Sequence, residues 1–283
     1  MTNSSRSETR NLVFYFIVAY AFTWLFWLLE ALAMKGRLGS SPLAEFLLGP
    51  NNPAAWGPFV AAFSITLLNE GTEGVKKLLK RATEAGFPKI WWLPALFLLP
   101  TLTGSAFLLS ILSEGAAPEI PWLSNPLSLL IGWDSFISIL LFRGPLQEEF
   151  GWRGYALPRL QTRFNALVSS VILGVIWFGW HIPYYTLVGD EPIFQSQFIG
   201  LAFSHVLLTI FFTWIYNNTG GSILVALLFH TTISFSWVLF PFAETGLGSM
   251  YYFFLLLIAS LLVLVIWRPG RLVRGEKRGR EMV

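Results

Sequence analysis

Eight stretches of this chain, 12–34, 52–69, 90–112, 126–147, 165–182, 198–216, 221–240 and 249–267, are apolar almost from end to end. A helix needs about 20 apolar residues to cross a bilayer, and a chain that repeats such runs has few other ways to fold. In lipid every backbone N–H and C=O must find its partner within the chain, so continuous runs read as helices. A β-barrel would instead alternate over segments of about 10 residues. Charge content agrees, with 12% charged and 54% hydrophobic residues, against about 25% charged in soluble domains. The expected fold class is all-α: a polytopic transmembrane helical bundle of about eight helices.

Partners and compartment follow from the same composition. The 13 Trp and 26 Phe suit interfacial belts and lipid-facing surfaces, so the bilayer is the first expected partner. A net charge of +3 gives no reason to expect a nucleic-acid partner. The chain has no cysteine, hence neither a disulfide nor a thiolate metal site. Arg6 and Arg10 precede a run too long for a signal-peptide core, so no cleavable leader is expected. With the N-terminus inside and eight spans, 17 of the 19 Lys and Arg residues fall on inner segments. These include Arg143, Arg153, Arg159, Arg163, the polar loop 70–89 and a basic tail at 268–283; only Lys35 and Arg37 fall outside. By the positive-inside rule this is a multi-pass protein of the cell membrane with both termini cytoplasmic. A single integral membrane domain is expected over 1–283.

Ionisable side chains in membrane spans are costly and by default functional candidates. Glu30 and Asp134 are single acids, whereas Glu148 and Glu149 form a pair followed by Arg153. Glu149 lies four residues before Arg153, the favourable order for a helical ion pair. Glu148 is off that register and stays available, and a free carboxylate in a low-dielectric site suits a general base. An interfacial charge cluster is the plainer alternative. If 126–147 and 165–182 form a hairpin turning near Arg163 to Asn165, Glu148 and His181 each lie about 22–24 Å from the turn. The two would then sit level on neighbouring helices, with Pro158 as a possible break. His230 shares a face with Ser234 one turn on, which indicates a polar interior seam. His205, in the sixth stretch beside Ser204, reads as a helix–helix hydrogen bond. Paired acids and buried histidines also suit a proton-coupled transporter, but no repeated half or pair of broken helices accompanies them.

Three segments, EEFGWRGYALPRLQ at 148–161, GVIWFGWHIP at 174–183 and TGGSILVALLFHTTIS at 219–234, resemble the CPBP family of intramembrane endopeptidases. That family includes CAAX prenyl proteases and bacterial proteins linked to bacteriocin processing and immunity. Gly57-Pro58 through Lys89 and then Trp91-Trp92 resemble the family's N-terminal half, so the likeness covers nearly the whole chain. It implies a peptidase acting on a membrane-associated peptide or protein, with the family-like core at about 126–240. Glu148 would activate the attacking water, Glu149 and Arg153 would shape the site, and His181 and His230 would hold the water or the oxyanion. Where the family pattern has Asn four residues after the last His, this chain has Ser234, and Trp177 replaces a Phe four before the first. Ser offers one donor and Asn two, so an attenuated member serving as an immunity factor or scaffold is the alternative. Metal use stays open. Glu148, His181 and His230 are the candidate ligands if zinc is present; a metal-free, glutamate-activated water is the other reading, since no HExxH spacing occurs.

Overall fold

The computed structural model describes residues 3–50, 52–115, 117–132, 134–189 and 198–274, with side chains from residue 7 onward. Among these residues the chain is helical and without strands. The long elements are α1 (Asn3–Met34), α3 (Gly57–Lys80) and α4 (Trp92–Glu114), with the short α2 (Pro42–Leu48) after α1. Three short helices follow: α5 (Pro121–Ser124), α6 (Ser128–Ile131) and α7 (Phe136–Phe142). Next come α8 (Pro145–Glu149), a π-helical segment Phe150–Ala156, and α9 (Leu157–Gln161). The chain closes with α10 (Ala166–Pro183), a π turn at Tyr184–Val188, α11 (Phe198–Asn218), α12 (Ile223–Leu239) and α13 (Gly248–Trp267).

Among the described residues six helical stretches are long and apolar enough to cross a membrane: Ser7–Met34, Lys89–Glu114, Ser128–Gln161, Ala166–Val188, Phe198–Asn218 and Gly248–Trp267. The chain is a polytopic helical membrane protein. Two of the eight expected spans fall short of that measure. Ile223–Leu239 is a shorter apolar helix. α3 is apolar only in its first half and continues as helix, kinked at Gly71 (φ 66), as far as Lys80, within the polar segment 70–89. The span placed at 126–147 is part of a longer helical stretch that reaches Gln161 and takes in Arg143, Arg153 and Arg159. Of the basic tail expected at 268–283, residues 275–283 lie outside the described residues.

Contacts sort the connections into two ends of the bundle. At one end Asn11 donates to Asn69 (3.2 Å) and Arg159 to Glu70 (2.9 Å), and Ala166 N–H donates to Gly270 O (3.0 Å). At the other, Glu114 accepts from the Gly246 and Leu247 amides (3.0 and 2.7 Å), and Asn52 donates to Glu30 (2.7 Å). Arg81 fastens the first end: it donates to Gly154 O (2.9 Å) and Gly221 O (2.9 Å) and bonds Tyr216 Oη. The bond to Gly154 O has a local cause. Pro158 has no N–H to offer the carbonyl four residues before it, and Arg81 takes that place, so the helix continues where a break was expected.

Inside, α10 and α11 approach closely. A Cβ on Gly174 would stand 2.6 Å from Val206 Cα, and Ser170 donates to Thr213 across the contact (2.8 Å). Small residues and hydroxyl bonds are what hold helices together where lipid supplies no hydrophobic drive. These two helices and the π segment frame the buried polar residues described next.

Candidate active site

The approach to the site is a backbone device. Gly144 has φ 116, a conformation L side chains rarely adopt, and its peptide is held by Gln147, whose Oε1 accepts from Gly144 N–H (3.0 Å). Gln147 Nε2 donates back to Leu141 O (3.1 Å). The chain thus turns sharply between α7 and α8 and delivers Glu148 and Glu149 at the start of a new helix, both buried. The following seven residues wind as a π-helix, a form found mostly as single turns at functional sites.

The two acids have separate partners. Glu149 Oε1 accepts from Arg153 Nη1 (2.8 Å) and His230 Nδ1 (2.7 Å). Arg153 is fully buried, with its guanidinium carbon 3.4 Å from the centre of the Phe212 ring and 4.8 Å from that of Trp177. Glu148 Oε2 accepts two indole N–H bonds, from Trp177 (2.6 Å) and Trp152 (3.1 Å). Its Oε1 faces Gly144: a Cβ there would lie 2.9 Å from Glu148 Oε1 and 3.7 Å from His230 Nε2. A carboxylate oxygen and an imidazole nitrogen therefore border one small space that only glycine leaves open. Gly144→Ala is expected to lower kcat at least about 100-fold, the low end of what a positioned acid–base group contributes, with substrate binding retained. Initial rates beside a peptide-binding assay check this.

The remaining histidines stand on α10 and α11. His181 Nδ1 lies 3.0 Å from Trp177 O; a carbonyl only accepts, so Nδ1 carries the hydrogen and Nε2 presents a lone pair. His205 is fixed the same way by Leu201 O (2.8 Å), and its Nε2 meets Tyr185 Oη at 3.1 Å. That is the cross-helix bond expected of His205. The rings of His181 and His205 lie edge to face with centres 5.2 Å apart. Ser234, one turn beyond His230, is half-buried and makes no side-chain hydrogen bond among the described residues.

Glu148, Glu149, Arg153 and His230 are thus brought together directly, and His181 through Trp177. Ser234 is not joined to them by any bond. Trp152 and Gly144 escaped the reading of the sequence. The signal for Trp152 was its place four residues after Glu148, on the same helical face. Gly144 carried none, because its role depends on His230 arriving from a distant helix. Among the described residues no group of three His, Cys, Asp or Glu side chains is placed to hold a metal ion. Glu148, His181 and His230 do not form a ready-made cation cage.

The resemblance carried by the motifs is borne out by comparison with known proteins. Residues 131–236 match the model of the family described as Type II CAAX prenyl endopeptidase Rce1-like. The chain is also 26% identical over 226 residues to CAAX prenyl protease 2 of Methanococcus maripaludis, an alignment covering 78% of this chain and 81% of that protein. Both names are those of peptidases, and a membrane peptidase is the general class they support here.

Proposed function

We propose that this protein is an intramembrane endopeptidase that hydrolyses a peptide bond in a membrane-associated peptide, with Glu148 as the base for the attacking water. The observation that carries this reading is the shared space over Gly144, bordered by Glu148 Oε1 and His230 Nε2. The two Trp indoles occupy Glu148 Oε2, so Oε1 is the oxygen left for a water proton. Water oxygen adds to the scissile carbonyl carbon as its proton passes to Glu148. The C–N bond then breaks, and that proton goes to the departing amine. His230 Nε2 stands where it can hydrogen-bond the oxyanion once it carries a proton, a charge that Glu149 behind it offsets; this is the arrangement of a histidine backed by a carboxylate. His181 Nε2, a lone pair, orients the water. The excess of Lys and Arg at the bundle end carrying both the start of α1 and residues 268–272 favours that end as cytoplasmic.

A peptide ending in a C-a-a-X sequence is the first substrate to try, given what the matched relatives are named for; that motif carries a prenyl group on its Cys. The test uses purified protein in liposomes and a fluorogenic peptide with this ending, farnesylated or not. Faster cleavage of the farnesylated form is expected. Two uncut peptides would contradict the reading for this substrate class.

The attenuated-member reading is favoured by one observation, the hydroxyl of the half-buried Ser234, which makes no hydrogen bond among the described residues. An oxyanion-hole donor is worth about 100- to 1,000-fold in kcat. Ser234→Asn is expected to recover part of that, a rise of about 10-fold, read as initial rate on the same peptide. An unchanged rate would place position 234 outside the reacting centre.

A further inference from the structure

We infer that His205, the histidine the reaction does not call on, is a positioning residue that ties the two arms of the site together through Tyr185. The inference rests on the reading of Glu148 and His181 above.

The geometry is that of a brace. His205 is buried at 6% exposure and Tyr185 at 8%. The His205 ring stands edge to face against Trp177, with centres 4.7 Å apart, and Trp177 is the residue whose indole holds Glu148 at 2.6 Å. On its other side, His205 Nε2 takes the Tyr185 hydroxyl at 3.1 Å. The Tyr185 ring lies parallel to that of His181, centres 5.2 Å apart and planes 11° apart. One imidazole thus touches the donor that aims the proposed base and anchors the ring that backs the water-orienting histidine. Leu201 O, at 2.8 Å from Nδ1, sets the His205 tautomer. Nε2 is thereby left as the acceptor and the Tyr185 hydroxyl becomes the donor.

Removing Nε2 takes away the bond that links α11 to the ring stacked on His181. His205→Phe keeps the ring and removes the acceptor; His205→Gln keeps an acceptor on a side chain of similar reach. Tyr185→Phe removes the same bond from the other side.

The experiment compares these variants in two ways. The first is kcat and KM on the farnesylated C-a-a-X peptide. The second is ring-nitrogen NMR of histidine-labelled protein in detergent, which needs no substrate. Expected are a drop of about 10-fold in kcat at unchanged KM for His205→Phe and for Tyr185→Phe, no further drop in the double variant, and recovery in His205→Gln. The His181 nitrogens, well separated in the wild type, should move toward each other in both Phe variants. Wild-type kcat and unmoved His181 signals in His205→Phe would overturn the brace, as would losses that multiply in the double variant. Glu148→Gln, run alongside, separates the two claims. If it stays active, the site reading itself fails. If it is inactive while the Phe variants match wild type, only the brace fails.

Discussion

Glu148→Gln is expected to abolish cleavage, with kcat lowered about 1,000-fold, within the range for loss of a positioned general base. The substitution is close to isosteric, and its carbonyl oxygen can still accept from Trp177 and Trp152, which bond the present carboxylate at 2.6 and 3.1 Å. Folding should therefore survive while the capacity to take a proton from water disappears. Initial rates on the farnesylated peptide, beside thermal unfolding in the same detergent, check both halves. The neighbouring acid should respond differently. Glu149 holds His230 and Arg153 in place, so its loss disturbs geometry as well as chemistry.

Arg153→Met is expected to give the largest loss of stability, about 3–5 kcal/mol, the cost of breaking a buried ion pair by removing one partner. Both side chains of the pair are fully buried, at 0% exposure. The cation also lies against the Phe212 and Trp177 rings, a contact that Met replaces only as apolar volume. What remains among the described residues is a Glu149 carboxylate with His230 as its polar partner. Much of the penalty is that stranded charge, so Arg153→Met combined with Glu149→Gln should be more stable than Arg153→Met alone. Thermal unfolding of the three proteins reads the order. A double variant less stable than the single one would contradict this account of the cluster.

How far the sequence foretold the site depends on the range of each interaction. The Glu149–Arg153 pair was legible because both residues ride one helix, four positions apart, and they meet at 2.8 Å. The hairpin arithmetic placed Glu148 level with His181; the structure sets Glu148 against Trp177, one turn closer to the hairpin. The cause is the π segment Phe150–Ala156, which packs more residues into each turn and rises less than a regular helix. Nothing in the apolar pattern announces such a turn. The run 126–147 read as one helix but is broken at Gly132 and again at Arg143–Gly144. Hydropathy counts side chains and is blind to a backbone at φ 116. Arg81 looked like a topological charge, whereas its acceptors, Gly154 and Gly221, come from 73 and 140 residues away. His205 was readable as a cross-helix bond but not as a neighbour of Trp177 and His181, since that meeting depends on the close approach at Gly174.

The most direct test of the central claim is to cleave the farnesylated C-a-a-X peptide with purified protein in water enriched in heavy oxygen, wild type beside Glu148→Gln, and to weigh the products. The account predicts that wild type releases a shorter peptide whose new carboxyl group carries one heavy oxygen atom, and that Glu148→Gln leaves the peptide intact. An intact peptide with wild type, a product without the label, or equal cleavage by Glu148→Gln would contradict it.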